Sequence, residues 1–173
     1  MFIESNTQKM LELFFNHPKE QFTIREVARR LKIAPPTSLR LVADLTEKGY
    51  LQAKKHRHYT DVTANMENTE FIDLKKIYNL YSLLGLNTYL VKQLNYPQAI
   101  ILYGSYSRGE DTEQSDIDIF ILSSTKKEMD ISAYEIDLKR KIHMIKKSEF
   151  TSLPKELKTN IINGTVLYGG IEC

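Results

Sequence analysis

Cysteine occurs once, at Cys173, and tryptophan not at all. A single thiol cannot close a disulfide within the chain and cannot build a cysteine-based zinc cluster, so the sequence reads as that of a reducing, cytoplasmic compartment. Seven glycines and five prolines among 173 residues are too few for a collagen-like or low-complexity chain. No apolar run approaches the ~20 residues that span a bilayer. The opening Met1-Phe2-Ile3-Glu4 has neither the basic start nor the apolar stretch of a secretory signal, so no membrane partner is expected. Net charge is scarce as well. With 24 Lys and Arg against 22 Asp and Glu, and 42% hydrophobic residues, the composition is not that of a disordered chain. It fits one ordinary domain or two small ones.

The small net charge hides a division. Residues 1–66 carry +4 and residues 67–173 carry −2, which points to two modules with different partners, the first of them polyanionic. In the basic third, Met10, Leu11, Leu13, Phe14 and Phe15 recur at helical spacing up to Pro18. Thr23 and Glu26 have the spacing of a capping box, and Val27, Ala28 and Leu31 follow as a core stripe. Ile33-Ala34-Pro35-Pro36 breaks that helix. A third helix is expected from about Pro36, with Leu39, Val42 and Leu45 inward, Thr37, Ser38 and Arg40 outward together with Leu41 and Asp44, and a stop at Gly49. Tyr50–Ala53 and His58–Val62 can then pair as a hairpin whose tip is Lys54-Lys55-His56-Arg57. Three fixed cations there would attract phosphates whatever the base sequence. Arg40 has the donors to read guanine or to hold a phosphate.

The stretches Phe22–Leu31, Thr37–Val42 and Glu47–Leu51 resemble the winged helix-turn-helix domains of bacterial and archaeal transcription regulators over about residues 5–65. The resemblance implies a double-stranded DNA partner, with Thr37, Ser38, Arg40, Lys54, Lys55 and Arg57 on the contact face.

Residues 67–96 read as a helical connector, one long helix broken at Gly85 and followed by a shorter one. Tyr78, Leu80, Tyr81 and Leu84 are more apolar surface than one narrow stripe needs. Such a helix is either buried on two sides or forms a dimer seam, and a homodimer is the expectation because winged helices commonly work in pairs across half-sites.

The chemistry lies further on. Ala99–Tyr103 is a short apolar run of the kind that makes a buried strand, Gly104-Ser105 follows at once, and Ser115–Leu122 reads as a second strand. A glycine at such a turn lets backbone approach a ligand, and amide groups at a helix start favour an anion. Asp116 and Asp118, two apart on a strand, leave by the same face. Like charges so placed repel unless a cation joins them, and an all-oxygen set favours Mg²⁺ or Mn²⁺ with nucleotide phosphates as further ligands.

Gly104, Ser105, Arg108, Gly109, Ser115, Asp116, Asp118 and Ile119 resemble the motif of the nucleotidyltransferases of the DNA polymerase beta superfamily, in particular the minimal bacterial and archaeal ones, over about residues 97–170. Ser107 stands where alanine is usual. The resemblance implies an α+β fold in which a small mixed sheet flanked by helices (97–173) follows the connector and the winged domain. It implies Gly104 and Ser105 on the phosphates of ATP or another nucleoside triphosphate, Arg108 and Ser115 nearby, and Asp116 and Asp118 on the metal.

One position departs. Catalytic members take a third carboxylate from a later strand, and here Arg140-Lys141-Ile142-His143-Met144-Ile145 puts His143 in its place. A neutral imidazole does not replace an anionic oxygen toward a hard cation. Asp137 could replace it only if Glu135–Leu138 were a strand; the pattern there reads as helix. His17, His56 and His58 have no metal spacing. The leading function is thus a DNA-binding regulator with a nucleotide- and metal-binding domain of doubtful catalysis. An active nucleotidyltransferase and an antitoxin-like interaction module are the alternatives.

Overall fold

A computed structural model describes residues 5–171; Cys173 lies outside them. The chain divides into two compact units, one up to Lys75 and one from Lys76.

The first unit begins with α1 (Asn6–Asn16), the two-residue strand β1 (Phe22–Thr23), α2 (Ile24–Leu31) and α3 (Pro35–Glu47). Thr23 and Glu26 form the expected capping box: the Thr23 hydroxyl accepts from the Glu26 amide at 3.2 Å, and the Thr23 amide donates to Glu26 Oε2 at 2.7 Å. The Thr23 amide and the Thr23 hydroxyl, which donates to the same Oε2 at 2.8 Å, hold the Glu26 carboxyl below the usual carboxylate range, with Arg29 and Arg30 adding a smaller attraction. Gly49, at φ +77°, takes the left-handed conformation that ends α3, and the Tyr50 amide closes back on the Leu45 carbonyl at 2.9 Å. The hairpin β2 (Leu51–Lys55) and β3 (Thr60–Ala64) follows, and β3 lies between β2 and β1. Phe14 meets Phe22 edge-on at 5.5 Å. Around them Met10, Val27, Val42, Leu45 and Val62 make a core in which every element has a share. This is a winged helix.

Two expectations for this unit need correction. Helix α3 starts at Pro35, and its inward stripe is Ser38, Leu41, Val42 and Leu45, at spacings of three, four and seven. Leu39 is 56% exposed, whereas Ser38 is fully buried and donates to the Ile24 carbonyl at 3.1 Å. The apolar residue was expected inside, but a turn of ~100° per residue carries it out of the stripe that Val42 and Leu45 define. The turn of the wing also lies two residues later than expected. Lys54 and Lys55 lie on β2 opposite Asp61 and Thr60, and the turn is His56–Tyr59, closed by the His56 amide on the Tyr59 carbonyl at 2.8 Å. The His56 and Tyr59 rings stack across this turn, 4.5 Å apart.

Helix α4 (Thr69–Ser82) crosses the division between units, and α5 (Leu84–Gln93) follows. The helix break falls at Leu83, so Gly85 is inside α5. In the second unit β4 (Ala99–Tyr103), the short α6 (Gly104–Arg108), β5 (Ile117–Leu122), α7 (Ser132–Leu138), β6 (Ile142–Lys147), α8 (Lys155–Ile162) and β7 (Thr165–Gly169) complete the fold. The sheet order is β6-β5-β4-β7; β5 and β6 are parallel and the other pairs antiparallel. Both faces of the central strands are covered, so all of Ala99–Tyr103 is buried. Leu86, Leu90 and Leu94 pack with Ile100, Ile117, Ile119 and Ile121 on one face. Leu153 and Ile161 pack with Ile101, Phe120 and Leu122 on the other.

Candidate functional site

Tyr103 stands opposite Asp118 at the ends of β4 and β5. The next residue, Gly104, has φ +77°, and a Cβ there would lie 2.5 Å from Asp118 Oδ2. The bend therefore needs glycine twice over, for its left-handed backbone and for the carboxylate packed against it. Burial raises the pKa of the Tyr103 phenol, and the Asp118 charge adds to the rise. Ser105 is half-buried. Ser107, the unusual residue of the motif, is buried and donates to the Gly104 carbonyl at 2.8 Å, so its hydroxyl is satisfied inside α6. Arg108 is exposed and paired with Glu110 at 2.6 Å. Ser115 Oγ accepts from the Thr112 amide at 2.9 Å, which shapes the loop into β5. Asp116 is exposed and stands one residue before β5 begins, rather than on the strand as expected.

The register of β5 with β6 places His143 directly beside Asp118, with Nδ1 3.3 Å from Asp118 Oδ1. His143 thus occupies the strand position where the motif leads one to expect a carboxylate. Asp137 lies exposed in α7, so it does not supply one. Among the described residues, no three His, Cys, Asp or Glu side chains converge as a metal-binding group. The oxygen pair Asp116 and Asp118 suits one hard divalent cation in donor type, and His143 does not complete a three-carboxylate set.

Residues 85–170 match the family model for polymerase beta nucleotidyltransferases, and residues 6–54 match that for the IclR helix-turn-helix domain. The chain joins a winged helix-turn-helix domain to a nucleotidyltransferase domain of the polymerase beta type. A crystal structure of the S. aureus MepR–DNA complex is similar at 14% identity and a TM-score of 0.38, covering 54% of this chain and 79% of that one. No curated protein matches the chain.

The loop between α6 and β5 of the nucleotidyltransferase domain is held from below by buried polar groups. Asp111 and Arg140 form an ion pair at 3.0 Å with almost no exposure. Arg140 also donates to the carbonyls of Thr112 and Ser115, the latter at 3.0 Å. Asn79 donates to the Tyr106 carbonyl at 2.9 Å and to Asp111 Oδ1 at 2.7 Å. The Tyr106 hydroxyl meets Ser82 Oγ at 2.9 Å, and burial pushes its pKa up to about 12. Arg140 thereby fixes the carbonyl immediately before Asp116. No local pattern announces this cluster, because Asn79 and Asp111 stand 32 residues apart.

In the winged domain the expected contact residues separate. Arg40 is exposed and reaches Asp44 at 3.3 Å, Thr37 is half-buried, and Lys54, Lys55 and Arg57 are exposed. Ser38, buried against Ile24, leaves the set. Exposed Leu39 takes its place on the surface, a position that counting back from Leu45 and Val42 in turns of α3 would have revealed.

Proposed function

We propose that the chain is a DNA-binding transcription regulator whose nucleotidyltransferase domain binds ATP or another nucleoside triphosphate with Mg²⁺ or Mn²⁺, without efficient transfer. The observation that carries this reading is His143 in register with Asp118, where an active site would need a third carboxylate. Asp116 and Asp118 would hold the cation, while Gly104, Ser105 and Ser115 would face the phosphates. A bound divalent ion would offset phosphate charge and orient the triphosphate. Arg108, tied to Glu110, would have to exchange partners to reach a phosphate. DNA would lie against α3 and the wing, with Arg40, Lys54, Lys55 and Arg57 on phosphates or base edges.

A homodimer would present two such faces to paired half-sites. It is supported by Ile77 and Tyr81, exposed at 62% and 56% and four residues apart on α4, and by Leu84, 57% exposed, at the start of α5. The regulatory step would be a nucleotide-dependent shift in the relation of the two wings, which requires that nucleotide bind one arrangement more tightly than the other.

Calorimetric titration of ATP and Mg²⁺ into the full chain tests the first part. Binding that disappears in Asp118→Asn supports it, and no heat from the wild type refutes it. Duplex affinity measured across a salt series tests the second. A steep fall with salt is expected, whereas no binding at low ionic strength refutes the DNA partner. An operator affinity indifferent to ATP and Mg²⁺ refutes the coupling. Sedimentation as a monomer at micromolar concentration refutes the dimer.

The second reading, an active nucleotidyltransferase acting on a protein or small-molecule hydroxyl, is favoured by the contact of Gly104 with Asp118. Labelled triphosphate separates the two readings. The regulator reading expects little transfer by the wild type and a gain of about a hundredfold in His143→Asp, the scale of one general base.

A further inference from the structure

The exposed hydrogen-bond donors on the first two turns of α3 reduce to Arg40 and a half-buried Thr37. Thr37 is half-buried, Ser38 is fully buried, and Arg40 is engaged with Asp44. Beside Arg40, what α3 offers outward in its first two turns is Pro35, Pro36 and Leu39. Leu39, 56% exposed, lies beside a cleft of about 680 Å³ whose walls include Pro35, Pro36, Ile24 and, from the wing, Tyr59, itself 52% exposed. Arg25 lines the same cleft and is exposed, as are Lys54, Lys55 and Arg57 on the wing. A largely apolar slot lined by Arg25, with further cations on the hairpin that carries Tyr59, matches one occupant well: a polyanion that carries an apolar group on its readable edge. In the major groove that group is the thymine 5-methyl.

We infer that Leu39, which shares its cleft with Pro36 and Tyr59, is a specificity-determining residue that receives a thymine methyl, so that one position of the duplex is selected by an apolar contact. The inference rests on the proposed DNA partner, and the cations around the cleft would supply the sequence-independent share of the affinity. Leu39 packs against no buried core in α3, so Leu39→Ala removes the contact without removing a core side chain.

The test begins with selection of bound duplexes from a random pool by the full-length protein. Each thymine of the enriched site is then replaced by uracil, which deletes the methyl and keeps the pairing. At one position of each half-site the wild type should lose about fourfold in affinity, the worth of one methyl taken from water. Leu39→Ala should bind the thymine and uracil duplexes equally, with its salt dependence unchanged. Equal binding of thymine and uracil duplexes by the wild type, or a thymine preference that survives in Leu39→Ala, overturns the inference while leaving the DNA partner standing. Failure to enrich or bind any duplex at low salt removes the DNA partner itself, and the inference with it.

Discussion

The two units were read from the same sequence by different periodicities, and they did not prove equally legible. In the nucleotidyltransferase domain Asp118 and His143 sit on strands, while Gly104 and Ser105 open α6 and Asp116 precedes β5. Parity alone decides which face a strand residue occupies, and Asp118, the one polar residue in the run Ile117–Leu122, shares its face with the residues two away from it. In the winged domain the contact residues sit on a helix, where a phase error of one residue turns a side chain by ~100°. Asp118 and His143 fall on their strands as expected and Asp116 does not, whereas Ser38 and Leu39 exchange places. Site residues on central strands can be assigned from sequence more safely than those on an amphipathic helix with mixed residues.

The largest effect expected from breaking this contrast lies beneath the legible site, in a part of it that could not be read. Asp111→Ala leaves Arg140 buried without its partner, and loss of one member of such a pair costs about 3–5 kcal/mol. Urea unfolding should show the loss. ATP binding should weaken too, because Arg140 also holds the carbonyls of Thr112 and Ser115 in front of Asp116. A variant as stable as the wild type would mean that the cluster is not what positions the loop.

Next in size is Gly104→Ala. The left-handed backbone costs an L-residue about 1–2 kcal/mol, and the added Cβ, 2.5 Å from Asp118 Oδ2, must push the carboxylate aside. ATP–Mg²⁺ affinity should fall about tenfold or more, the scale of one charge-assisted contact. Retention of full affinity would separate the bend from ligand binding and remove the advantage claimed for the strand-borne site.

Legibility failed elsewhere for physical reasons too. The capping box and the stop at Gly49 were readable because a cap is a contact between residues three or four apart. Strand β1 was not, since two residues carry no periodicity and are fixed only by pairing with Asp61 and Val62. The place of the wing's turn was not legible either, since the pairing of Lys55 with Thr60 and the stacking of His56 on Tyr59 are contacts across the turn. Helix α7 was readable, and that settled Asp137. Asn79, Asp111 and Arg140 meet only once the sheet has formed.

A smaller effect addresses the helix phase directly. Ser38→Ala leaves the Ile24 carbonyl without its buried donor, a loss of about 1 kcal/mol visible in thermal unfolding. Duplex affinity should not change, since the hydroxyl faces the core. Weakened DNA binding at unchanged stability would restore Ser38 to the contact face.

The smallest effect concerns pH. Glu26 is held below its ordinary value of 4.5 by the Thr23 amide and hydroxyl, so the folded state binds its proton more weakly than the unfolded chain does. A depressed carboxylate adds stability that is complete well above the unfolded value and is lost as pH falls through the folded one. Glu26→Gln keeps a side-chain acceptor for the Thr23 amide but removes the charge. The variant should therefore be less stable than the wild type near neutral pH, and the difference should shrink as pH is lowered below about 4.5. Thermal unfolding of both proteins from neutral pH down to pH 3 would trace it. A constant difference across that range would mean that the cap works through its hydrogen bonds alone. The Glu26 charge would then contribute nothing to holding α2 against the base of the wing.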